Sequence, residues 1–273
     1  MDKIQGNFRL QNLGNTCFIN SIIQILSHMP IFREYILTCQ FVDILKRNSK
    51  DDDEDEYKIK FKDNIIYELT RLLSSGYKNP DCNITPTTFK KTVSTKLSED
   101  QMFVGTEQHD SHELLTFLLD KLMEETSEKI IPIGGRKLKS IENSSLNTNL
   151  LKILAKLKQD NFIKKDGHSF LNSLFTSNEY VTIECDVCGH IVHKYQPYNF
   201  LELSIPIKNE RDQSRFTLHD CLDNYVKPEK LDKDNMYKCQ ICCYKSTAKR
   251  LIQLHSTPKI LIIHLKRFMK NIY

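Results

Sequence analysis

What the chain lacks narrows its class before any motif is considered. No apolar run approaches the roughly 20 residues that a membrane-spanning helix needs, the longest clear one being Ile260–Ile263. The first ten residues, Met1 to Leu10, mix charged, polar and apolar types and hold no signal-peptide core. Neither sign of charge dominates: 39 basic residues face 35 acidic ones for a formal net charge of +4, too even a balance to argue for nucleic acid or a membrane surface as a partner. No internal repeat is visible. What remains is the expectation of an ordinary globular protein of the cytosol or nucleus, long enough at 273 residues to bury a sizeable core. In such a compartment nine cysteines read as metal ligands, a nucleophile and buried thiols, because reducing conditions do not maintain structural disulfides.

Hydrophobic periodicity divides the chain into a helical front and a β-rich back. Residues 10–37 read as a short turn and a helix with Ile19, Ile22, Ile23 and Leu26 at helical spacing, ended near Pro30. Residues 63–74 and 86–97 also read as helical, and a strongly periodic helix runs from about Ser111 to Glu125 with Leu114, Leu115, Leu118, Leu119 and Leu122 on one face. The acidic run Ser49 to Glu56 reads as a solvated loop. Residues 127–166 read as an insertion, with a Gly pair, a Ser/Asn-rich patch and a basic amphipathic stretch. Strand patterns then follow at Tyr180–Glu184, His190–Tyr195, Phe200–Ile205, Lys249–Leu254 and Ile260–Leu265, for an α+β class overall.

Three constellations carry chemistry. In Asn12-Leu13-Gly14-Asn15-Thr16-Cys17-Phe18-Ile19-Asn20-Ser21 a cysteine opens a helix just after a glycine turn. Unpaired N–H groups of a first helical turn, with the positive end of the helix dipole, stabilise a thiolate, the nucleophilic form. Asn12, Asn15 and the Cys17 N–H are the available oxyanion donors. On position alone such a cysteine is more often a small buried residue; its context argues otherwise. The second stretch, Gly105-Thr106-Glu107-Gln108-His109-Asp110-Ser111-His112-Glu113, opens the long helix, and Asp110 with Glu113 has capping-box spacing. His109 and His112, three apart with no further ligand nearby, make a weak case for a metal or a base.

The third constellation is a pair of Cys-x-x-Cys turns, Cys185-Asp186-Val187-Cys188 and Cys239-Gln240-Ile241-Cys242. Four thiolates from two such turns make a closed tetrahedral site suited to structural Zn2+, with no open position for catalysis. Cys243 competes for the fourth place, and Cys242 is preferred because the two-residue spacing lets both sulfurs converge from one turn. Cys39, Cys82 and Cys221 lack partners at useful spacing and are expected to be buried.

The Cys17 string, continuing through Gln24 and Leu26, resembles the cysteine box of ubiquitin-specific proteases, the papain-like cysteine deubiquitinases. The Gln108–Glu113 segment is similar to that family's second box, the two cysteine pairs sit as in its fingers, and Thr257–Phe268 looks like a strand of its palm, ending in Leu265-Lys266-Arg267-Phe268. The resemblance implies Cys17 as nucleophile and Asn12 as oxyanion donor. It also implies Gln108, Asp110 and Glu113 as contacts to the basic C-terminal tail of ubiquitin. The implied fold is a papain-like cysteine protease with a helical thumb over 1–126, an insertion at 127–166, zinc-bearing β fingers over 167–250 and the start of a palm sheet over 251–273. The family's base lies in a later Gly-His-Tyr-type box, followed by an orienting Asp or Asn. Neither follows Phe268, so the expectation is a catalytic domain truncated before its histidine, with severe loss of activity. His168 precedes the cysteine pairs and His264 lies in the palm strand, so neither matches that box. Two alternatives accompany this reading: an inactive ubiquitin-binding pseudo-protease, and a zinc-ribbon interaction module unrelated to ubiquitin.

Overall fold

The computed structural model describes residues 6–49, 64–96, 103, 105–128, 149–150, 153, 156–157, 168–206 and 216–267. The acidic run after Ser49 and most of 127–166 lie outside the described residues. The chain divides into two compact units, Met1–Lys129 with Gly167–Asn172, and Ile130–Asp166 with Ser173–Tyr273.

In the first unit the described helices are α1 (Cys17–Ser27), α2 (Pro30–Leu37), α3 (Val42–Ser49), α4 (Ile65–Lys78), α5 (Thr87–Lys96) and α6 (Ser111–Glu125). The anticipated break at Pro30 is present, but it starts α2 instead of ending the helical region, since proline is well tolerated at a first helical position. Helix α1 packs on α2 and α6, and α4 packs on α2, α5 and α6. The buried stripes are Ile19, Ile22, Ile23 and Leu26 of α1, Ile65, Ile66, Leu69 and Leu73 of α4, and Leu114, Leu118, Leu119 and Leu122 of α6. Each such side chain contributes about 1.5–3 kcal/mol on leaving water. A short parallel pair, β1 (Arg9–Leu10) with β2 (Asn83–Ile84), brings the segment before the cysteine turn against the chain leading to α5. The polar face of α1 grips this pair: Gln24 Nε2 donates to the Phe8 carbonyl at 3.0 Å, and Asn20 Nδ2 donates to Leu10 and Gln11 carbonyls at 3.3 Å.

The first backbone N–H groups of α4 have no intrahelical acceptors, and a residue of another helix satisfies two of them. The Glu125 carboxylate, at the end of α6, accepts from Ile65 N–H at 3.0 Å and Ile66 N–H at 2.8 Å.

The second unit centres on a four-stranded antiparallel sheet in the order β4-β3-β9-β6, from β3 (Ser177–Cys185), β4 (Ile191–Tyr198), β9 (Ala248–Leu254) and β6 (Glu229–Leu231). A parallel pair, β5 (Phe200–Ser204) with β10 (Ile262–Lys266), and a small hairpin, β7 (Tyr237–Lys238) with β8 (Lys245–Ser246), complete its described strands. Short helix α7 (Phe170–Phe175) leads into β3. Helix α8 (Leu218–Val226) packs on β5 and β9 and lies in a stretch where strand patterns dominate. Its first turn carries a reciprocal capping box: the Thr217 hydroxyl accepts from Asp220 N–H, and the Asp220 carboxylate accepts from Thr217 N–H at 2.7 Å. That helix seats Cys221 in a small core with Leu201 and Leu203. Of the three thiols expected to be buried, only Cys221 is; Cys39 is exposed in a left-handed turn residue and Cys82 is half-buried. Neither has an apolar helix or strand face to turn inward.

Burial raises the Glu125 carboxyl above its ordinary range, and the Ile66 and Ile65 N–H groups pull the other way. A carboxyl raised on folding adds stability below its unfolded pKa and loses it as pH rises through the folded one. Glu125→Ala leaves two donors without their acceptor and is expected to cost about 1–3 kcal/mol in denaturant unfolding. Glu125→Gln is expected to cost less, and its deficit against the parent should widen as pH falls through the carboxylate range.

Candidate functional site

The turn before α1 is held by side chains that bond its own backbone. Gly14 and Asn15 both adopt left-handed backbone, φ 88° and 51°, which glycine takes freely and asparagine tolerates. The Asn12 side-chain oxygen accepts from both Thr16 N–H and Thr16 hydroxyl at 3.0 Å, and Thr16 Oγ1 in turn accepts from Leu13 N–H at 2.9 Å. Two consequences follow. The Asn12 amide plane is fixed with its Nδ2 bonded to no group among the described residues. Thr16, the residue that would cap α1, directs its hydroxyl backwards and makes no cap bond to the helix. The first N–H groups of α1 are therefore left open around Cys17, whose thiol is exposed.

A second tie holds this turn to the following box. Asn15 Nδ2 donates to the Thr106 carbonyl at 2.8 Å, and Lys90 of α5 donates to the Gly105 carbonyl at 2.8 Å. His109 packs edge-on against Phe18 and Phe103, with ring centroids 5.3 and 5.1 Å away. Asp110 caps α6, but by accepting from His112 N–H at 2.7 Å instead of from Glu113, so the spacing read as a capping box is used as a simple one-sided cap. Gln108, Asp110 and Glu113 are exposed. Asp110, His112, Glu113, Thr116, Phe117 and Asp120 line an open hollow of about 560 Å³ along α6. Asp120 escaped the sequence reading although its spacing from Asp110 and Glu113 keeps it on the same helical face. Partial burial lifts its carboxyl above the ordinary range while Lys121 works against this.

No described histidine of this unit is hydrogen-bonded to Cys17. His28 Nδ1 bonds the Gln24 carbonyl at 2.7 Å, and His168 forms a backbone bridge with Glu128. His264 lies on β10, in register opposite Glu202 of β5.

The two Cys-x-x-Cys turns are the tips of two hairpins, one between β3 and β4 and the other between β7 and β8. They share one backbone pattern. The N–H of the first cysteine bonds the carbonyl five residues on, Cys185 to His190 at 3.0 Å and Cys239 to Tyr244 at 3.1 Å. The first cysteine's carbonyl accepts from the residue four on, Gly189 or Cys243, both at 2.9 Å. Gly189 and Cys243 occupy the same left-handed place, φ 67° and 62°. Cys243 thus serves as the turn's closing residue, and its thiol points at the Gln240 carbonyl 3.4 Å away. The sulfurs of Cys185, Cys188, Cys239 and Cys242 all lie within 4.8 Å of one another and could hold a metal ion. Cys185 to Cys242 is 3.9 Å and Cys188 to Cys239 is 3.6 Å, against an edge of about 3.8 Å for a tetrahedron with sulfurs about 2.3 Å from zinc. The Ser246 hydroxyl, ahead of backbone amides in the first turn, draws the Cys185 thiol down to about 6. Its neighbour Cys242 is pushed up to about 12, first by its bond to Cys188 and then by burial. Four crowded sulfurs cannot all ionise without a cation, which is the condition a metal relieves.

Cys242→Ser is expected to abolish stoichiometric metal binding, and Cys243→Gly to retain one metal ion per chain because glycine suits the left-handed position. Metal analysis of the two purified variants reads this directly; loss of metal from Cys243→Gly alone would reverse the ligand assignment.

The comparisons with known proteins converge. Residues 8–273 match the family model described as ubiquitin carboxyl-terminal hydrolase. The chain is 26% identical to a probable ubiquitin carboxyl-terminal hydrolase of Acanthamoeba polyphaga mimivirus, over 95% of this chain and 69% of that protein. It is 29% identical to the ubiquitin carboxyl-terminal hydrolase Usp2 of Drosophila melanogaster, over 99% of this chain but only 26% of that one. Among solved structures it matches a chain of the SAGA DUB module Ubp8/Sgf11/Sus1/Sgf73 bound to monoubiquitin, with a TM-score of 0.61 and 20% identity over 98% of this chain and 50% of the other. The chain belongs to the ubiquitin carboxyl-terminal hydrolase family and has its papain-like, mixed helix and sheet fold.

Proposed function

We propose that this chain is the ubiquitin-binding and nucleophile-bearing part of a thiol-dependent deubiquitinase acting on the (iso)peptide bond at the C-terminus of ubiquitin. The observation that carries the reading is the Asn12–Cys17 turn, which leaves a helix N-terminus uncapped beneath an exposed thiol. Cys17 as thiolate attacks the carbonyl carbon, and the Asn12 Nδ2 and the open N–H groups of α1 receive the oxyanion. The acidic face of α6, with Asp110 and Glu113 and with Gln108 ahead of it, receives the basic tail of ubiquitin. Residues 1–126 act as the thumb, 167–250 as fingers and 251–273 as the beginning of the palm. The metal is zinc, held by Cys185, Cys188, Cys239 and Cys242, and it fastens the tips of two hairpins without touching the chemistry.

A second reading, ubiquitin binding without turnover, is favoured by one observation: no described histidine of its own unit is bonded to Cys17. Protonation of the leaving amine needs such a partner, whereas capture of an electrophile by an exposed thiol does not. The 273-residue chain by itself is therefore expected to react at Cys17 with a ubiquitin carrying a C-terminal thiol-reactive group. It is also expected to release a fluorophore from the ubiquitin C-terminus no faster than its Cys17→Ala variant. Loss of one member of a catalytic unit costs several orders of magnitude, so the contrast is easily read. Robust Cys17-dependent turnover would show that a histidine of this chain is the base, and an adduct mapped to another cysteine would remove the nucleophile assignment.

Asp110→Lys tests the tail contact. It should weaken ubiquitin binding roughly tenfold or more at low salt through like-charge contact, while loss of the cap costs about 1 kcal/mol of stability. Unchanged affinity would restrict Asp110 to capping.

A further inference from the structure

The four sulfurs differ in what surrounds them. Cys239 Sγ accepts from the Cys242 N–H of its own turn at 3.5 Å. Cys185 Sγ, fully buried, has amides of its own turn about it and in addition lies 3.2 Å from the hydroxyl of Ser246, a residue that is itself 5% exposed and stands on the other hairpin. A buried hydroxyl is costly without a partner, and a sulfur is this one's partner. Once Cys185 is a thiolate it has no proton to give, so the hydroxyl must be the donor.

The backbone holds Ser246 in this place from two sides. On one side it pairs with Tyr237 across the β7–β8 hairpin. On the other, the next residue, Thr247, accepts from Asp186 N–H in the first turn at 3.0 Å, and Ala248 then pairs with Cys185 itself. The hydroxyl is thus positioned by strands and does not depend on a flexible loop.

We infer that Ser246 is a positioning residue of the metal centre, its hydroxyl holding Cys185 in the ligand orientation and offsetting the excess negative charge of a zinc ion bound by four thiolates. The inference rests on the zinc reading above. Partners of this outer kind are typically worth 10- to 100-fold in metal affinity. A tetrathiolate zinc centre carries a net charge of about −2, so a donor to one sulfur acts on the whole centre and not only on its own ligand.

The test uses the full 273-residue chain, with zinc affinity measured by competition against a chromophoric chelator and Co2+ loaded in parallel as a spectroscopic probe. Ser246→Ala is expected to weaken zinc binding 10- to 100-fold and to shift the sulfur-to-cobalt charge-transfer band. Ser246→Thr, which keeps the hydroxyl, should restore the parent band and bring affinity back to within about threefold. Equal zinc affinity and an unmoved cobalt band in Ser246→Ala would overturn the inference while leaving the zinc site intact. A parent chain that binds neither metal would instead overturn the zinc reading itself. If Ser246→Ala does not fold, the Thr variant decides alone, since a band and affinity at parental values support the hydroxyl, whereas a loss equal to that of Cys185→Ser refutes it.

Discussion

The backbone donors at the start of a helix must find acceptors, and the fold can be followed through how each helix answers that demand. Helix α4 is answered from a distance by Glu125 of α6, which ties two buried helices together end to start. Helix α6 is answered by Asp110, and α8 by the reciprocal pair Thr217 and Asp220. Helix α2 starts behind Met29 without a side-chain cap, and α1 also lacks one although its capping residue could supply it. Its capping position is filled by Thr16, a residue well suited to the task, but the hydroxyl is engaged upstream with Leu13 and with the Asn12 oxygen. The first N–H groups of α1 are left without a side-chain acceptor, and the exposed Cys17 stands among them.

A different constraint governs the cluster of four cysteines. Two hairpin turns with the same backbone hydrogen-bond pattern face one another, and they differ at the left-handed position, glycine in one and cysteine in the other. A side chain there carries a conformational cost of order 1 kcal/mol that glycine avoids. The thiol of Cys243 points to carbonyls of its own turn and away from the cluster, so the fifth sulfur near the site belongs to the turn's backbone conformation.

Much of this was legible in the sequence where one physical signal dominated. The α6 stripe of leucines and the five strand patterns are periodic enough to stand alone, and the observed strands agree with them to within a few residues. Helix α8 is masked in the sequence by the strand patterns around it, although Thr217-x-x-Asp220 spells its start. The paired cysteine spacings made two turns legible, whereas the convergence of their sulfurs depends on the β3–β9 register, which no local pattern encodes. The same holds for Glu125, Asn15 and Ser246. Each acts on a partner tens of residues away, and their residue types are common at any surface. Cys39 is exposed although thiols are often buried, because it sits in a left-handed turn and its sequence carries no signal of that turn.

The cysteine pairs also have a meaning for the chain as a polymer. Cys188 and Cys239 are 51 residues apart, so a metal joining the two turns would close a loop of that length. Treated as a cross-link, it would remove from the unfolded ensemble a conformational entropy worth about 4 kcal/mol. Because closure entropy grows only logarithmically, doubling the intervening chain adds roughly 0.6 kcal/mol. The segment between the hairpins is therefore free to vary in length at almost no thermodynamic expense, so long as the two tips still meet on one ion.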